Sequence, residues 1–146
     1  MNAIAISHVN EEYSMDDKRA ELSKKRLWTS RVLQVLAVLF LLMDGLMKLF
    51  KPPVVVQSTV GLGYSESVIV PIGVAVLVCS LLYAIPRTAI MGAILLTGFL
   101  GGAVASNVRA ATPLFNVAFP FLFAVLIWAP LVLRNKQLES ALFKSK

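Results

Sequence analysis

The chain is poor in the residue types from which most catalytic and metal sites are built. Its 146 residues include one cysteine, Cys79, and one histidine, His8. A single cysteine permits no intrachain disulfide and no CxxC pattern for zinc or redox chemistry. The sequence also lacks HExxH, Walker and GxSxG motifs, so it indicates no metal site, phosphate-binding loop or nucleophile–base pair. We therefore expect no metal, no evident cofactor and no catalytic activity of the chain on its own.

Charged residues are also scarce, and long apolar runs take their place. Charged residues make up 15% of the chain and hydrophobic residues 58%, against about 25% and 45–50% in soluble domains. Four apolar runs of 18 to 20 residues cover residues 32–50, 68–85, 89–108 and 114–133. About 20 helical residues cross a hydrocarbon core of ~30 Å. The sequence therefore predicts an all-α fold, a four-helix transmembrane bundle, rather than a soluble enzyme or a disordered chain.

The basic residues predict how this bundle is oriented. Four spans place both termini on one side of the membrane, and eleven of the 14 lysines and arginines fall on that side. The positive-inside rule then makes both termini cytoplasmic, in a bacterial inner membrane. We expect a polar and then basic tail at residues 1–30, a membrane domain at residues 31–138 and a second tail at residues 139–146. The basic block before the first span is expected to meet anionic lipid headgroups rather than nucleic acid.

Aromatic residues are expected to mark the same side of the membrane. Trp28, Tyr83 and Trp128 all fall towards the end of the bundle that carries the termini. Tryptophan and tyrosine are enriched where the apolar core meets the headgroups. We therefore expect these three residues to lie at the interface.

An ionisable residue inside an apolar run requires a structural or functional explanation. Asp44 is the only acidic residue within the four runs, and Lys48 follows it one helical turn later. This order and spacing favour an ion pair on one face of a helix. We expect the Asp44 carboxylate to point into the bundle and to pair with Lys48, Arg109 or both. Such a group is either a structural pair that holds the first helix to its neighbours or part of a binding or proton-relay site, and the sequence leaves both interpretations open.

The predicted topology brings further polar residues to the outer side of the bundle. Glu66 precedes the second span, Asn107 and Arg109 end the third, and Asn116 lies near the start of the fourth. The candidate ligand-binding or ion-pair residues of this outer layer are therefore Asp44, Lys48, Glu66, Asn107, Arg109 and Asn116.

The segment between the first two spans, residues 51–67, is too long for a simple turn. Pro52 and Pro53 can open a short helix, since proline is tolerated in the first helical turn. Gly61 and Gly63 can end it. The segment is expected to form a short interfacial or partly re-entrant lid over the outer layer, and an ordinary ordered loop fits the sequence equally well.

Small residues are concentrated in the third span. Gly98 and Gly102 form a GxxxG step, and Gly101 lies beside them. Small residues at these positions let another backbone approach closely. We expect them to pack inside the same bundle, and packing in a homo-oligomer is the alternative. In the fourth span, Pro120 removes a backbone donor and is expected to bend the helix.

Six stretches, in order, resemble the DoxX-like family of small membrane proteins. They match the end of the first helix, the loop after it, the second turn, two parts of the third helix and the end of the fourth. In chain order they are DGLMKLF (44–50), LGY (62–64), YAIPRTA (83–89), GAILLTG (92–98), GGAVA (101–105) and WAPLVLR (128–134). The resemblance covers about residues 31–138. It implies a compact four-helix membrane bundle.

The resemblance implies less about activity. The family takes its name from the small membrane subunit of a thiosulfate:quinone oxidoreductase, which makes quinone the cofactor to test. Relatives often carry histidine where this chain has Asn107, and an amide does not titrate, so no proton transfer is expected there. We expect a non-catalytic accessory subunit or a binder of a small apolar molecule, with the bilayer and a membrane or oxidoreductase subunit as partners. The alternatives are a quinone-associated membrane subunit of an oxidoreductase and a small proton-coupled transporter.

Overall fold

All regular structure in the described part of the chain is helical. The computed structural model describes the backbone of residues 3–135 and Leu138, and the side chains of residues 23–135 and Leu138. The helices are α1 (Ala3–Phe50), α2 (Pro53–Gly61), α3 (Ile69–Ala84), α4 (Ala89–Arg109) and α5 (Leu114–Arg134), and a 3-10 turn (Glu66–Val68) leads into α3. The stretches that are long and apolar enough to span a membrane are Ser23–Phe50, Glu66–Ala84, Ala89–Arg109 and Leu114–Arg134. The predicted all-α, four-helix transmembrane fold is confirmed.

The boundary expected near residue 30 is not a break in the backbone. Helix α1 runs without interruption from Ala3 to Phe50, so the basic block and the first span share one helix. The acidic side chains expected in the first tail, and the second tail at residues 139–146, lie outside the described residues.

The four long helices alternate in direction and form a ring. Helix α1 packs against α3 and α5, and α4 packs against the same two helices. One end of the bundle carries α2, and we call it the α2 end. The other carries the start of the first span, the turn at residues 85–88 and the end of α5. We call this the basic end, because the basic residues there are Lys24, Lys25, Arg26, Arg31, Arg87 and Arg134.

The buried core runs along the inside of this ring. Every long helix contributes to it, for example through Leu41, Val76, Leu96 and Ile127, which are at most 3% exposed. Tyr83 belongs to this core as well. It is fully buried, and its hydroxyl donates a hydrogen bond of 2.9 Å to the carbonyl of Ile127. The bond satisfies the phenol inside an apolar environment.

Tyr83 lies at the predicted end of the bundle, in the last turn of α3, but its ring points into the core. Trp28 is 71% exposed on α1, in keeping with the prediction. Trp128 is half-buried and donates from Nε1 to Thr97 Oγ1 at 2.9 Å.

The prediction that Gly98, Gly101 and Gly102 pack against another helix of the bundle is also wrong. A Cβ atom added at any of these three positions would meet nothing within 4 Å. The buried positions of α4 include Gly92, Leu96 and Leu100, which recur at the three- to four-residue spacing of a helical face. The three glycines lie off this face, so their small size does not bring two helices together.

Close helix contact occurs instead at three other glycines. Gly45 of α1 and Gly73 of α3 face each other, since a Cβ atom at Gly73 would lie 3.0 Å from the carbonyl oxygen of Gly45. A Cβ atom at Gly92 would lie 2.6 Å from Cα of Tyr83 and 2.8 Å from the carbonyl carbon of Leu82. These glycines set the distances from α3 to α1 and from α3 to α4.

Candidate functional site

A cavity of about 620 Å³ lies near the α2 end of the bundle and is partly open to its surface. Its walls come mainly from α1, α4 and α5, while α3 contributes Ile72. Ser58, Thr59 and Leu62 line it from α2 and the residue after that helix, so this segment covers the cavity. Sites for small ligands in proteins usually measure about 300–1,000 Å³. The volume falls within this range.

One wall of the cavity is aromatic. Phe40 of α1 and Phe123 of α5 have ring centroids 4.5 Å apart, and Phe119 lies 5.6 Å from Phe123. Phe115 extends this cluster, with its centroid 6.0 Å from that of Phe119. The rings meet at tilted angles of 33° to 50°, an arrangement that suits aromatic quadrupoles. We call these four residues the aromatic wall.

Another part of the lining holds the predicted ion pair. Lys48 Nζ lies 2.5 Å from Asp44 Oδ1, and both residues line the cavity. The Lys48 side chain is 17% exposed and that of Asp44 is 35% exposed. The two charges cancel within one turn of α1, so the pair presents polar atoms to the cavity without a net charge.

A second set of polar groups lines the cavity from α4 and the segment after α2. The hydroxyls of Tyr64 and Ser106 are 2.5 Å apart, and Ser106 Oγ donates to the carbonyl of Gly102 at 2.8 Å. A serine hydroxyl has one hydrogen to donate. Tyr64 must therefore donate to Ser106, which fastens the segment after α2 onto α4.

Asn107 and Asn116 also line the cavity. Asn107 Nδ2 donates to the carbonyl of Ala103 at 2.9 Å, and its Oδ1 accepts from Thr112 Oγ1 at 2.9 Å. Pro120, which is buried in the same lining, has no N–H to give to the carbonyl of Asn116. The first turns of α5 therefore bring an asparagine side chain to the cavity and leave the carbonyl of Asn116 without its usual helical donor.

The other two predicted residues, Glu66 and Arg109, lie outside the cavity lining. Arg109 Nη2 donates to the carbonyl of Leu62 at 2.9 Å, and Glu66 Oε1 lies 3.5 Å from Lys51 Nζ. Of the two predicted partners, Lys48 pairs with Asp44. Arg109 instead bonds to Leu62, the residue after α2. Arg109 is the last residue of α4, and this end of α4 lies beside the residue at which the chain leaves α2. Its guanidinium therefore reaches Leu62.

The segment between the first two spans forms the predicted short helix. Pro52 and Pro53 open α2, and the chain leaves it through Gly63, whose φ of +86° is in the region that favours glycine. A side chain at Gly63 would also meet the Arg109 guanidinium, with Nη2 only 2.9 Å from its Cβ position. The glycine therefore allows both the turn and the arginine contact.

The sequence analysis did not predict the aromatic wall, although the spacing of three phenylalanines in the fourth span indicates part of it. Phe115, Phe119 and Phe123 recur every four residues, which places them on one face of α5. In a helix that is apolar on all sides, such a face is not distinguished from a lipid-facing one by hydrophobicity. The contact of Phe40 with this face depends on the packing of α1 on α5, which no local pattern reveals.

A model of the DoxX-like family matches residues 32–130. The chain belongs to the DoxX-like family. The matched range contains every residue that lines the cavity, from Phe40 to Phe123. No curated protein and no solved structure matches the chain. With four helices that can span a bilayer, this DoxX-like protein is a multi-pass membrane protein.

Proposed function

We propose that this DoxX-like protein holds a small apolar or amphipathic molecule in the cavity at the α2 end, as a non-catalytic accessory subunit of a membrane assembly. The observation that carries the proposal is the combination of a cavity of about 620 Å³, an aromatic wall and a charge-balanced ion pair. The apolar part of the ligand packs on the aromatic wall, and a polar group of the ligand meets Lys48, Asn107 or Asn116. The cover formed by α2 separates the bound molecule from water.

Gly102 offers a direct test, because it lines the cavity and has open space where a side chain would begin. Gly102→Leu is expected to fill part of the cavity and to lower ligand occupancy about tenfold, the equivalent of ~1.4 kcal/mol. Native mass spectrometry of protein released directly from its membrane measures this occupancy as a small-molecule adduct.

Gly98→Leu is the matched control for this variant. Gly98 lies one turn earlier on α4, also has open space at its Cβ position, and does not line the cavity. We expect it to keep the adduct of the wild-type protein. A wild-type protein without any adduct, or equal occupancy in both variants, would contradict the proposed binding function.

A quinone is the ligand class that the lining favours within this proposal. A quinone has a flat ring that stacks on aromatic side chains and carbonyl oxygens that accept hydrogen bonds. Lys48 supplies an ammonium donor and Asn116 an amide donor at the cavity. In this second candidate function the protein is a quinone-associated membrane subunit of an oxidoreductase. Binding of ubiquinone-1 that is lost in Lys48→Met, together with co-purification of a soluble oxidoreductase, supports it.

Asp44 supports a third candidate, a proton-coupled transporter, because it places a carboxylate in a cavity within the membrane domain. Uptake into vesicles that depends on a proton gradient and is abolished by Asp44→Asn would favour transport over static binding.

We further propose that both termini are cytoplasmic, in a bacterial inner membrane. The proposal rests on the eleven basic residues that a four-span topology assigns to the side of the termini, against three assigned to the other side. Alkaline phosphatase, which is active only outside the cytoplasm, is expected to be inactive when fused after Lys146. A fusion after Gly61, at the α2 end, serves as the control and is expected to be active. The reverse pattern would overturn this orientation.

A further inference from the structure

A second cavity, of about 560 Å³, lies at the basic end of the bundle. Arg31 of α1 and Arg134 of α5 provide its charged lining, and Asn135 adds an amide. The remaining lining is apolar and consists of Pro86, Ala89, Ile90, Leu131 and Leu138. We call this site the basic groove. It shares no residue with the cavity at the α2 end.

The basic groove lies at the depth where the spanning helices begin and end. Helix α3 ends at Ala84, α4 begins at Ala89 and α5 ends at Arg134. Ser30 Oγ donates to the carbonyl of Pro130 at 2.8 Å, which fixes Arg31 level with the last turn of α5. In a membrane this level corresponds to the headgroup region, because the helix ends mark the limits of the apolar core.

Arg134 is held in position by a hydrogen-bond chain that leads into the core. Its Nη1 donates to Gln34 Oε1 at 3.2 Å, and Gln34 Nε2 donates to the carbonyl of Tyr83 at 2.9 Å. Gln34 is only 8% exposed, so the core fixes its side chain. A guanidinium has five N–H donors. The chain to Gln34 uses one of them and orients the rest of the group without neutralising its charge.

The described side chains near the basic groove bring positive charge and no carboxylate. The carboxylates among the described side chains are Asp44 and Glu66, and both pair with lysines at the α2 end. Helix α4 starts in the groove without a side-chain cap, and Thr88 Oγ1 donates to the carbonyl of Leu82 at 2.7 Å. The partial positive charge of a helix start adds to that of the two arginines.

We propose that the basic groove binds the phosphate group of an anionic phospholipid, with Arg31 and Arg134 as its ligands. Guanidinium groups bind phosphate oxygens through paired, charge-assisted hydrogen bonds. The apolar lining accommodates the glycerol and the first carbons of an acyl chain, which a free phosphate ion does not have. Charge complementarity and the apolar walls together therefore favour a lipid over inorganic phosphate.

The test uses the full-length protein in a neutral detergent. Phosphatidylglycerol and phosphatidylcholine with identical acyl chains are titrated separately, inorganic phosphate forms a third arm, and native mass spectrometry counts bound lipid. We expect discrete phosphatidylglycerol adducts at concentrations where phosphatidylcholine gives none. Arg31→Gln is expected to weaken phosphatidylglycerol binding about tenfold or more, the usual effect of losing charge-assisted hydrogen bonds. Inorganic phosphate at the same concentration is not expected to displace the lipid.

Arg87→Gln is the matched control, because Arg87 is exposed at the same end and does not line the groove. It removes the same charge and is expected to leave the binding nearly unchanged. Arg31 is itself exposed, so its variant is expected to fold even if Arg134→Gln, which breaks the chain to Gln34, does not. Equal binding of both lipids, or equal losses in Arg31→Gln and Arg87→Gln, would overturn the proposal. Displacement of the lipid by inorganic phosphate would show that the site takes free phosphate instead.

Discussion

Gly92→Ala is expected to lower the stability of the bundle. The loss should exceed that of an alanine substitution at Gly98, Gly101 or Gly102, where an added Cβ atom meets open space. The Cβ atom added at Gly92 would lie 2.6 Å from Cα of Tyr83 and 2.8 Å from the carbonyl carbon of Leu82. These are backbone atoms, which cannot rotate away as a flexible side chain can. The start of α4 must therefore move off α3, at a cost of about 1–3 kcal/mol or more. The fall in the midpoint of thermal unfolding in detergent measures this loss.

The same substitution at Gly98 and Gly101 provides the control. Neither position has an atom within 4 Å of the added Cβ, and alanine favours a helix over glycine by about 1 kcal/mol. We expect both variants to be as stable as the wild-type protein or slightly more so. If Gly98→Ala and Gly92→Ala shift the unfolding midpoint equally, the helix packing described for α4 is wrong.

Lys48→Met is expected to lower the stability of the membrane domain strongly. The substitution removes the Lys48 ammonium, which lies 2.5 Å from the Asp44 carboxylate. The carboxylate then lies at an aromatic-lined cavity without a partner of opposite charge. Breaking this pair is expected to cost about 1–3 kcal/mol, less than for a fully buried pair because the Asp44 side chain is 35% exposed. The double variant Asp44→Asn with Lys48→Met removes both charges, so we expect it to recover a large part of this loss. A thermal-unfolding cycle of the two single variants and the double variant measures the coupling.

Lys51 and Glu66 provide a comparison pair in the same protein. Their charged atoms are 3.5 Å apart, and the side chains are 34% and 61% exposed. Exposed pairs contribute about 0–1 kcal/mol, so the equivalent cycle is expected to show little coupling. Asp44→Asn and Arg109→Gln are also expected to be additive, because Arg109 is bonded to Leu62 and not to Asp44. Additive effects for Asp44 and Lys48 would contradict the ion pair as the stabilising contact.

The same cycle separates a structural role from a binding role for the ion pair. If the pair only stabilises the bundle, ubiquinone-1 binds the double variant as well as it binds the wild-type protein. If the pair takes part in binding, the double variant regains stability and still fails to bind.

Several features were predictable because they depend on neighbours along the chain. The lengths of the apolar runs, the turn at residues 85–88 and the opening of α2 by Pro52 and Pro53 are local features. The Asp44–Lys48 pair is local too, since residues four apart on a helix lie on the same face. These predictions needed only the helical period and the chemistry of proline and glycine.

The composition of the cavity was predictable only in part. Topology alone brought Asp44, Lys48, Asn107 and Asn116 to one end of the bundle, and all four line the cavity. Topology could not show that Glu66 and Arg109, at the same level, lie outside it. Whether two side chains at one level meet depends on the rotation of each helix and on the path of the segment between them.

The sequence by itself therefore determined the number and the alternating direction of the spanning helices, the approximate length of the last three, and the pairing of charges within one helix. Only the tertiary structure decided that Gly92, and not Gly98, brings two helices together, that Tyr83 points into the core, and that Phe40 joins the aromatic face of α5. The physical reason lies in the solvent. In water, a polar stripe shows which face of a helix is outside, but lipid chains are as apolar as the core, so a spanning helix carries no such mark. Its inward face is then set by close packing and by hydrogen bonds to other helices.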